Sequence, residues 1–378
     1  MMFCETGCPM IDRRTVLASL LALSAMPLGA FAGSEEMLET VADGLDHPWS
    51  FAFLPEGPIL VTERRGHLRT IGAGGKLSEP ITGLPQVAAV GQGGLLDIAL
   101  HPDFASNRLV FLSFAEPRED GKNGTSVMRG RLSEDLRSLG EVKVIFREQP
   151  AYEGGAHFGS RLAFDRTGAL FVTTGDRLNL RPLVQQTDNH IGKIIRITED
   201  GGIPPDNPKV DGWLPEIWSI GHPNLQGATI HPDTGQLWTT EHGAKGGDEL
   251  NHPQAGRNYG WPVITYSREY SGGKIGEGLT EKPGMEQPVH YWTPSIGPSG
   301  MVFYTGDRYP QWKGSLFVGA LALKHLARVK LDGDTVVEEE KLFDGYARIR
   351  DVRQGPDGDL YILTDEAAPM GRIMRVTA

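Results

Sequence analysis

Cysteine is almost absent from this 378-residue sequence: the only two, Cys4 and Cys8, stand within the first eight positions. A disulfide framework or a thiolate metal centre in the body of the chain is thereby excluded. Aromatic residues are few, at 8%, and positive charge is in deficit, with 37 Lys+Arg against 48 Asp+Glu and a formal charge of −11. Nucleic acid or an anionic membrane as the main partner requires a basic face, so this balance argues against both. No stretch sustains a helical period of apolar residues. Beyond the N-terminal segment, no apolar run approaches the roughly 20 residues of a membrane span.

What is plentiful is turn-forming: 49 Gly and 26 Pro. They follow no strict period, and 39% of residues are hydrophobic, so neither a collagen-like nor a disordered chain fits. Many short strands joined by tight turns do.

The N-terminus has its own grammar. Arg13-Arg14 is followed by Thr15-Val16-Leu17, by the apolar run Ala18 to Leu28, and by the small-x-small triplet Ala30-Phe31-Ala32. This is the order of an export signal, of the twin-arginine or general secretory kind. Cleavage after Ala32 would remove both cysteines. Residues 33–378 are then expected as one domain, soluble in the periplasm and without a membrane span.

The rest repeats. An apolar strand, a turn rich in Pro, Asp or Gly and a second apolar strand recur over residues 51–63, 97–114, 161–176, 227–241, 300–319 and 351–365. A unit of roughly 60 residues suits one blade of a propeller with insertions. The fold expected is all-β: a six-bladed β-propeller of four-stranded antiparallel blades, with a pair of β-sandwiches as the competing architecture. The fourth copy lacks an outer strand and runs instead into a long polar segment. Gly/Pro/Asn-rich insertions over 176–226 and 241–298 are the expected carriers of function.

Polar residues recur just before the inner strands: Gln92, His157, His222 and Asn224, then Arg348 and Arg350. In a propeller such positions converge on one mouth of the central channel, although any one of them alone could simply cap a turn. His157, between glycines, is the candidate general base, because imidazole titrates near neutrality. Arg348 and Arg350, two apart, face the same side of a strand and need anions, from a ligand or from neighbouring Asp. His101 and His231, in His-Pro-Asp turns, read as turn residues. Glu241, Asp248 and Glu249 lie among glycines, a mixture that either holds a hard cation such as calcium or forms a solvated acidic loop.

Several blocks, in this order, resemble the soluble quinoprotein sugar dehydrogenases of the glucose/sorbosone dehydrogenase family. They are Gly91-Gln-Gly-Gly-Leu-Leu96, His157-Phe-Gly-Ser-Arg-Leu162, Glu241-His-Gly with Gly247-Asp-Glu-Leu-Asn251, Asn258-Tyr-Gly-Trp-Pro262 and Arg348-Ile-Arg-Asp-Val352. The resemblance implies a propeller that binds pyrroloquinoline quinone (PQQ) and calcium and oxidises aldose sugars at C1 to lactones, with hydride passing to the quinone. It implies His157 as the base and Gln92, Asn224, Lys324, Arg348 and Arg350 as quinone-binding residues. Carbonyls of Gly243 and Ala244 would coordinate the quinone-bound calcium, and Glu249 with the Tyr259 carbonyl a second calcium. The electron acceptor is not specified. Two departures stand out. Pro223 occupies the place of a family arginine, and the lysine expected after the fifth inner strand is matched to Lys324 only by passing Leu321-Ala322-Leu323. A propeller that binds a sugar or peptide but has lost the redox step, and a lactonase or other hydrolase using calcium as Lewis acid, are the alternatives.

Overall fold

The computed structural model describes residues 37–367 and 369–377. The export signal expected over residues 1–32 lies outside them. Six small sheets stand in a ring. Blade 1 comprises Pro48–Phe53, Ile59–Glu63 and His67–Ile71; blade 2 Leu95–Leu100, Leu109–Pro117, Asn123–Leu132 and Leu139–Arg147. Blade 3 comprises Leu162–Phe164, Leu170–Thr173, Lys193–Ile197 and Ile217–Ile220; blade 4 Leu225–Ile230, Leu237–Glu241, Asp248–Asn251 and His290–Trp292. Blade 5 comprises Pro298–Phe303, Leu316–Ala320, His325–Asp332 and Thr335–Leu342; blade 6 Ile349–Gln354, Leu360–Thr364 and Gly371–Val376. The first strand of each blade is innermost. Each inner strand packs against the inner strands of its neighbours, and that of blade 6 against that of blade 1, so the circle closes.

Closure is made by pairing of the first and last strands among the described residues. Leu38–Leu45 pairs antiparallel with Gly371–Val376, Leu38 opposite Val376, and becomes the outer strand of blade 6. Second strands show no alternation because they are buried on both faces: Ile59–Glu63, Leu237–Glu241, Leu316–Ala320 and Leu360–Thr364 are buried throughout, their apolar residues leading and a Thr or Glu closing three of the four. Outer strands meet water. Thr335–Leu342 carries Glu338, Glu339 and Glu340 and is mostly exposed, and that row of charge discourages edge-to-edge association.

The blades are less uniform than four strands each. Blade 1 has three, and an irregular segment covers its edge, with Ser78 N donating to Thr70 O and Ile81 N to Leu68 O. Blade 3 gains a fifth, parallel strand, Arg257–Asn258. Blade 4 does have outer strands, contrary to the sequence expectation. Its third strand, Asp248–Asn251, holds a single apolar residue, so no alternation betrays it; Leu250, wholly buried beside Trp238 and Trp292, fixes its register.

The axis is filled by ions. Arg161 Nη1 lies 3.2 Å from Asp97 Oδ1 and 3.0 Å from Asp351 Oδ1. Arg353 reaches the same pair, 3.0 Å from Asp97 Oδ1 and 3.0 Å from Asp351 Oδ2. Ser50 Oγ sits between the two carboxylates, 2.6 Å from one and 3.0 Å from the other. Two cations and two anions, contributed by blades 2, 3 and 6, thus satisfy one another where inner strands leave little apolar surface.

Candidate functional site

One hairpin geometry recurs at one mouth of the ring. The approach to an inner strand, or its first residues, brings a basic side chain against an acidic one at or just past the end of the second strand. In blade 3 this sets His157 Nδ1 2.7 Å from Asp176 Oδ1; in blade 4, His222 Nδ1 3.1 Å from Glu241 Oε1; in blade 6, Arg350 Nη2 and Arg348 Nη2 3.1 and 3.0 Å from Asp365 Oδ2. Every second strand concerned ends Thr-Glu, Thr-Asp or Thr-Thr-Gly-Asp.

His157 is the chemically distinctive member. A carboxylate only accepts, so His157 Nδ1 carries the hydrogen, and it is Nε2 that has the lone pair in the neutral ring. Asp176 is itself fixed: Leu178 N donates to Oδ1 at 2.8 Å and Trp261 Nε1 to Oδ2 at 2.9 Å. The His157 backbone is left-handed, with φ 51°, and its N–H donates to Gln92 Oε1 at 2.9 Å. Such a conformation is tolerated only where surroundings enforce it. Gly175 leaves room for it, since a Cβ there would stand 2.1 Å from His157 O.

A cavity of about 810 Å³ opens at this mouth, lined among others by Trp49, Arg64, Gln92, Gln226, Arg348 and Arg350. Lys245, Arg268 and Tyr270 line its other side, and Asp365 is its one acidic residue. Five basic side chains against one carboxylate, in a chain of net charge −11, make this a place for an acidic ligand. Burial alone would raise the Asp365 carboxyl, but Arg350 and Arg348 hold it far below the ordinary carboxylate range. Arg350 is 7% exposed and its Nη1 donates to Gln226 Oε1 at 2.7 Å, yet its Nε has no partner. Arg64 Nε and Asn224 Nδ2 are likewise buried donors without acceptors.

The expected residues do not all assemble. Gln92, Arg348, Arg350, Gly243 and Ala244 line the cavity, and His157 joins through Gln92. Asn224 lies beneath, with Gly159 N donating to its Oδ1 at 3.1 Å. Lys324 does not join them. It is exposed at a left-handed turn position, φ 54°, while Leu321 and Ala322 face the cavity in its place. Pro223 is buried and its carbonyl accepts from Asp176 N at 2.7 Å. Glu249 stands across the sheet from Glu241, and burial together with Glu241 pushes its carboxyl up to about 8. Asn251 Nδ2 donates to both, while its Oδ1 is buried without a partner. Tyr259 stacks on His222, ring centroids 5.0 Å apart, and burial drives His222 down to about 3. Among the described residues, no three or more His, Cys, Asp or Glu side chains group as a metal centre would.

Sequence reasoning missed Asp176, Arg64, Asp365 and Trp261. The acid closing each second strand was the available signal for Asp176 and Asp365. It missed Lys193 as well, wholly buried beside the site, with Nζ donating to Val184 O at 2.8 Å and Ile191 O at 2.6 Å. Burial pushes this ammonium down to about 7, with Asp188 acting the other way. Between pH 7 and about 10.5 the unfolded chain binds this proton more fully than the folded one, so stability contributed here rises with pH. The melting temperature of wild type minus that of Lys193→Met should therefore increase from pH 7 to pH 10; a flat difference would refute the assignment.

Fold and site together define a closed propeller with an oriented imidazole beside a cation-lined cavity. The profile of the glucose/sorbosone dehydrogenase family matches residues 45–375, and the chain belongs to that family. It is 48% identical over 345 residues to the aldose sugar dehydrogenase YliI of Escherichia coli K12, covering 90% of this chain and 92% of that one. A crystal structure of a glucose dehydrogenase superposes with a TM-score of 0.87 at 53% identity, covering 90% and 99% of the two chains. The PQQ-bound aldose sugar dehydrogenase of Streptomyces coelicolor does so with a TM-score of 0.74 at 30% identity, covering 89% and 96%.

Proposed function

We propose that this protein is an exported, periplasmic quinoprotein that oxidises aldose sugars at C1 to lactones. The observation that carries the reading is the His157–Asp176 pair at the edge of a cavity whose arginines hold unused donors. A relative solved with PQQ bound supports the choice of cofactor. The quinone is a tricarboxylate, and the chemistry of the donors suits it. Arg348, Arg350 and Arg64 would hold its carboxylates and Gln92 and Asn224 its polar edge. Bound there, it would supply the two-electron acceptor for the C1 hydrogen.

The chain's own residues do the rest. His157 Nε2 takes the proton of the C1 hydroxyl, and Asp176 keeps the ring in the tautomer that can do so and steadies the imidazolium that results. Gln92 fixes the His157 backbone. Carbonyls of Gly243 and Ala244 would hold a calcium beside the quinone, where a divalent ion supplies Lewis acidity. Glu249, next to Glu241 and the unpartnered Asn251 Oδ1, would hold a second calcium with the Tyr259 carbonyl, and a cation there would offset two facing carboxylates.

Titration of purified apoprotein with PQQ and calcium should give saturable spectral binding at micromolar quinone, followed by dye reduction with aldoses. Calcium removal should abolish both. Absence of binding at micromolar PQQ would sink the proposal.

A further inference from the structure

Asp176 does not act on His157 alone. Its Oδ2, which accepts from Trp261 Nε1, also faces Arg181, whose Nε is 3.9 Å away. That distance is too long for a hydrogen bond. Yet Arg181 Nε is buried and has no partner, so a small movement would complete one. The guanidinium lies over the Trp261 ring, 5.2 Å from its centroid, so carboxylate, indole and cation form one unit.

The other end of Arg181 leads to the cavity mouth. Its Nη1 donates to Glu269 Oε1 at 2.6 Å. Glu269 sits in a tight hairpin, with Glu269 N donating to Gly273 O at 3.0 Å and Gly272 N to Glu269 O at 2.7 Å. Its neighbours Arg268 and Tyr270 line the cavity, while Glu269 between them turns back to Arg181. Alternate residues of one extended segment thus face opposite ways, one pair toward the ligand space and the residue between toward the base.

We propose that Arg181 is a positioning residue for the His157 base, acting through Asp176 and tethered by Glu269 to the hairpin at the cavity mouth. The inference rests on His157 serving as the base, as proposed above. Its physics is Coulombic. The Arg181 charge opposes that of the Asp176 carboxylate, so the imidazolium gains less from Asp176 than it otherwise would. The ring then stays neutral, and able to take a proton, to lower pH. Of the other charged groups around the pair, His242 of blade 4 faces His157, with Arg350 of blade 6 acting on His242, and Glu241 of blade 4 faces Asp176. Arg177, next in sequence to Asp176, is taken up by Glu148 at 3.2 Å, and Arg64 Nη1 donates to Gly91 O at 3.0 Å. None of these touches Asp176 Oδ2 as Trp261 and Arg181 do.

The test is Arg181→Gln with Arg181→Lys as the conservative control, each in the full chain. In Arg181→Gln the acid limb of the kcat/KM pH profile should move up by about half a unit or more. The His157 ring resonances should titrate correspondingly later in NMR spectra of the protein without quinone. Arg181→Lys should restore most of the shift. Glu269→Gln should change the profile in the wild-type background and not in Arg181→Gln. An unmoved limb and unmoved resonances in folded Arg181→Gln would overturn the proposal, as would equal effects of Glu269→Gln in both backgrounds. If the quinone reading itself is wrong, every variant is inactive alike, while the NMR titration still reports on Arg181.

Discussion

Replacing His157 by alanine should lower kcat about 10³-fold, roughly 4 kcal/mol of barrier, while the affinity for PQQ changes little. The split follows from the geometry. In the proposed role His157 would meet the substrate hydroxyl through Nε2, whereas the groups expected to bind the quinone belong to other blades: Arg64 in the first, Gln92 before the second, Arg348 and Arg350 at the sixth. Removing the ring would take away the proposed proton acceptor and leave the arginines of the cavity in place. Stopped-flow reduction of bound quinone by an aldose, beside a spectral titration, reads the two quantities separately. A variant that turns over at the wild-type rate would remove His157 from the base role. One that loses PQQ binding by the same factor would make it a binding residue instead.

Arg161→Met should destabilise the protein more than any surface change. The guanidinium is 2% exposed and joins Asp97, Asp351, the Gln226 carbonyl at 2.6 Å and the Arg350 carbonyl at 3.0 Å. Truncating one partner of a buried ionic cluster leaves the others charged and unpaired, at a cost of about 3–5 kcal/mol. Arg353 alone would then face two carboxylates. The melting temperature should fall by roughly 10 °C, read by calorimetry. Arg161 also lies over the Trp49 ring, 4.2 Å from its centroid, and Trp49 lines the cavity, so weakened PQQ binding should accompany the loss. A drop under about 3 °C would mean that the axial cluster contributes little beyond its own solvation.

The fold was legible because its repeat is written in apolar strands and fixed turns. Six copies of one hairpin need no tertiary information to be counted. Blade 4's third strand was not legible, because Asp248-Glu249-Leu250-Asn251 has the composition of a loop and is made a strand by what Leu250 packs against. The site divided along a similar line. Gln92, His157, Arg348 and Arg350 were conspicuous as polar residues at repeated positions among glycines. Asp176 was not, since an acid after Thr-Thr-Gly looks like one more turn. Its role depends on a partner 19 residues earlier that only the hairpin brings within 2.7 Å. Lys324 failed for a local reason. A left-handed turn residue after Leu321-Ala322-Leu323 points its side chain into solvent, and no spacing rule along the sequence distinguishes that from the cavity side.

The pairing of Leu38–Leu45 with Gly371–Val376 has a consequence for synthesis. Leu38–Leu45 must wait, unpaired, until Gly371–Val376 has left the ribosome. Until then the sheets form an arc with two free ends, and Arg64 in the first blade has no fixed relation to Arg350 in the sixth. The ligand space is therefore a property of the finished circle and of no blade within it. A chain without Gly371–Val376 would lose the seam, and with it the fixed spacing of those two arginines.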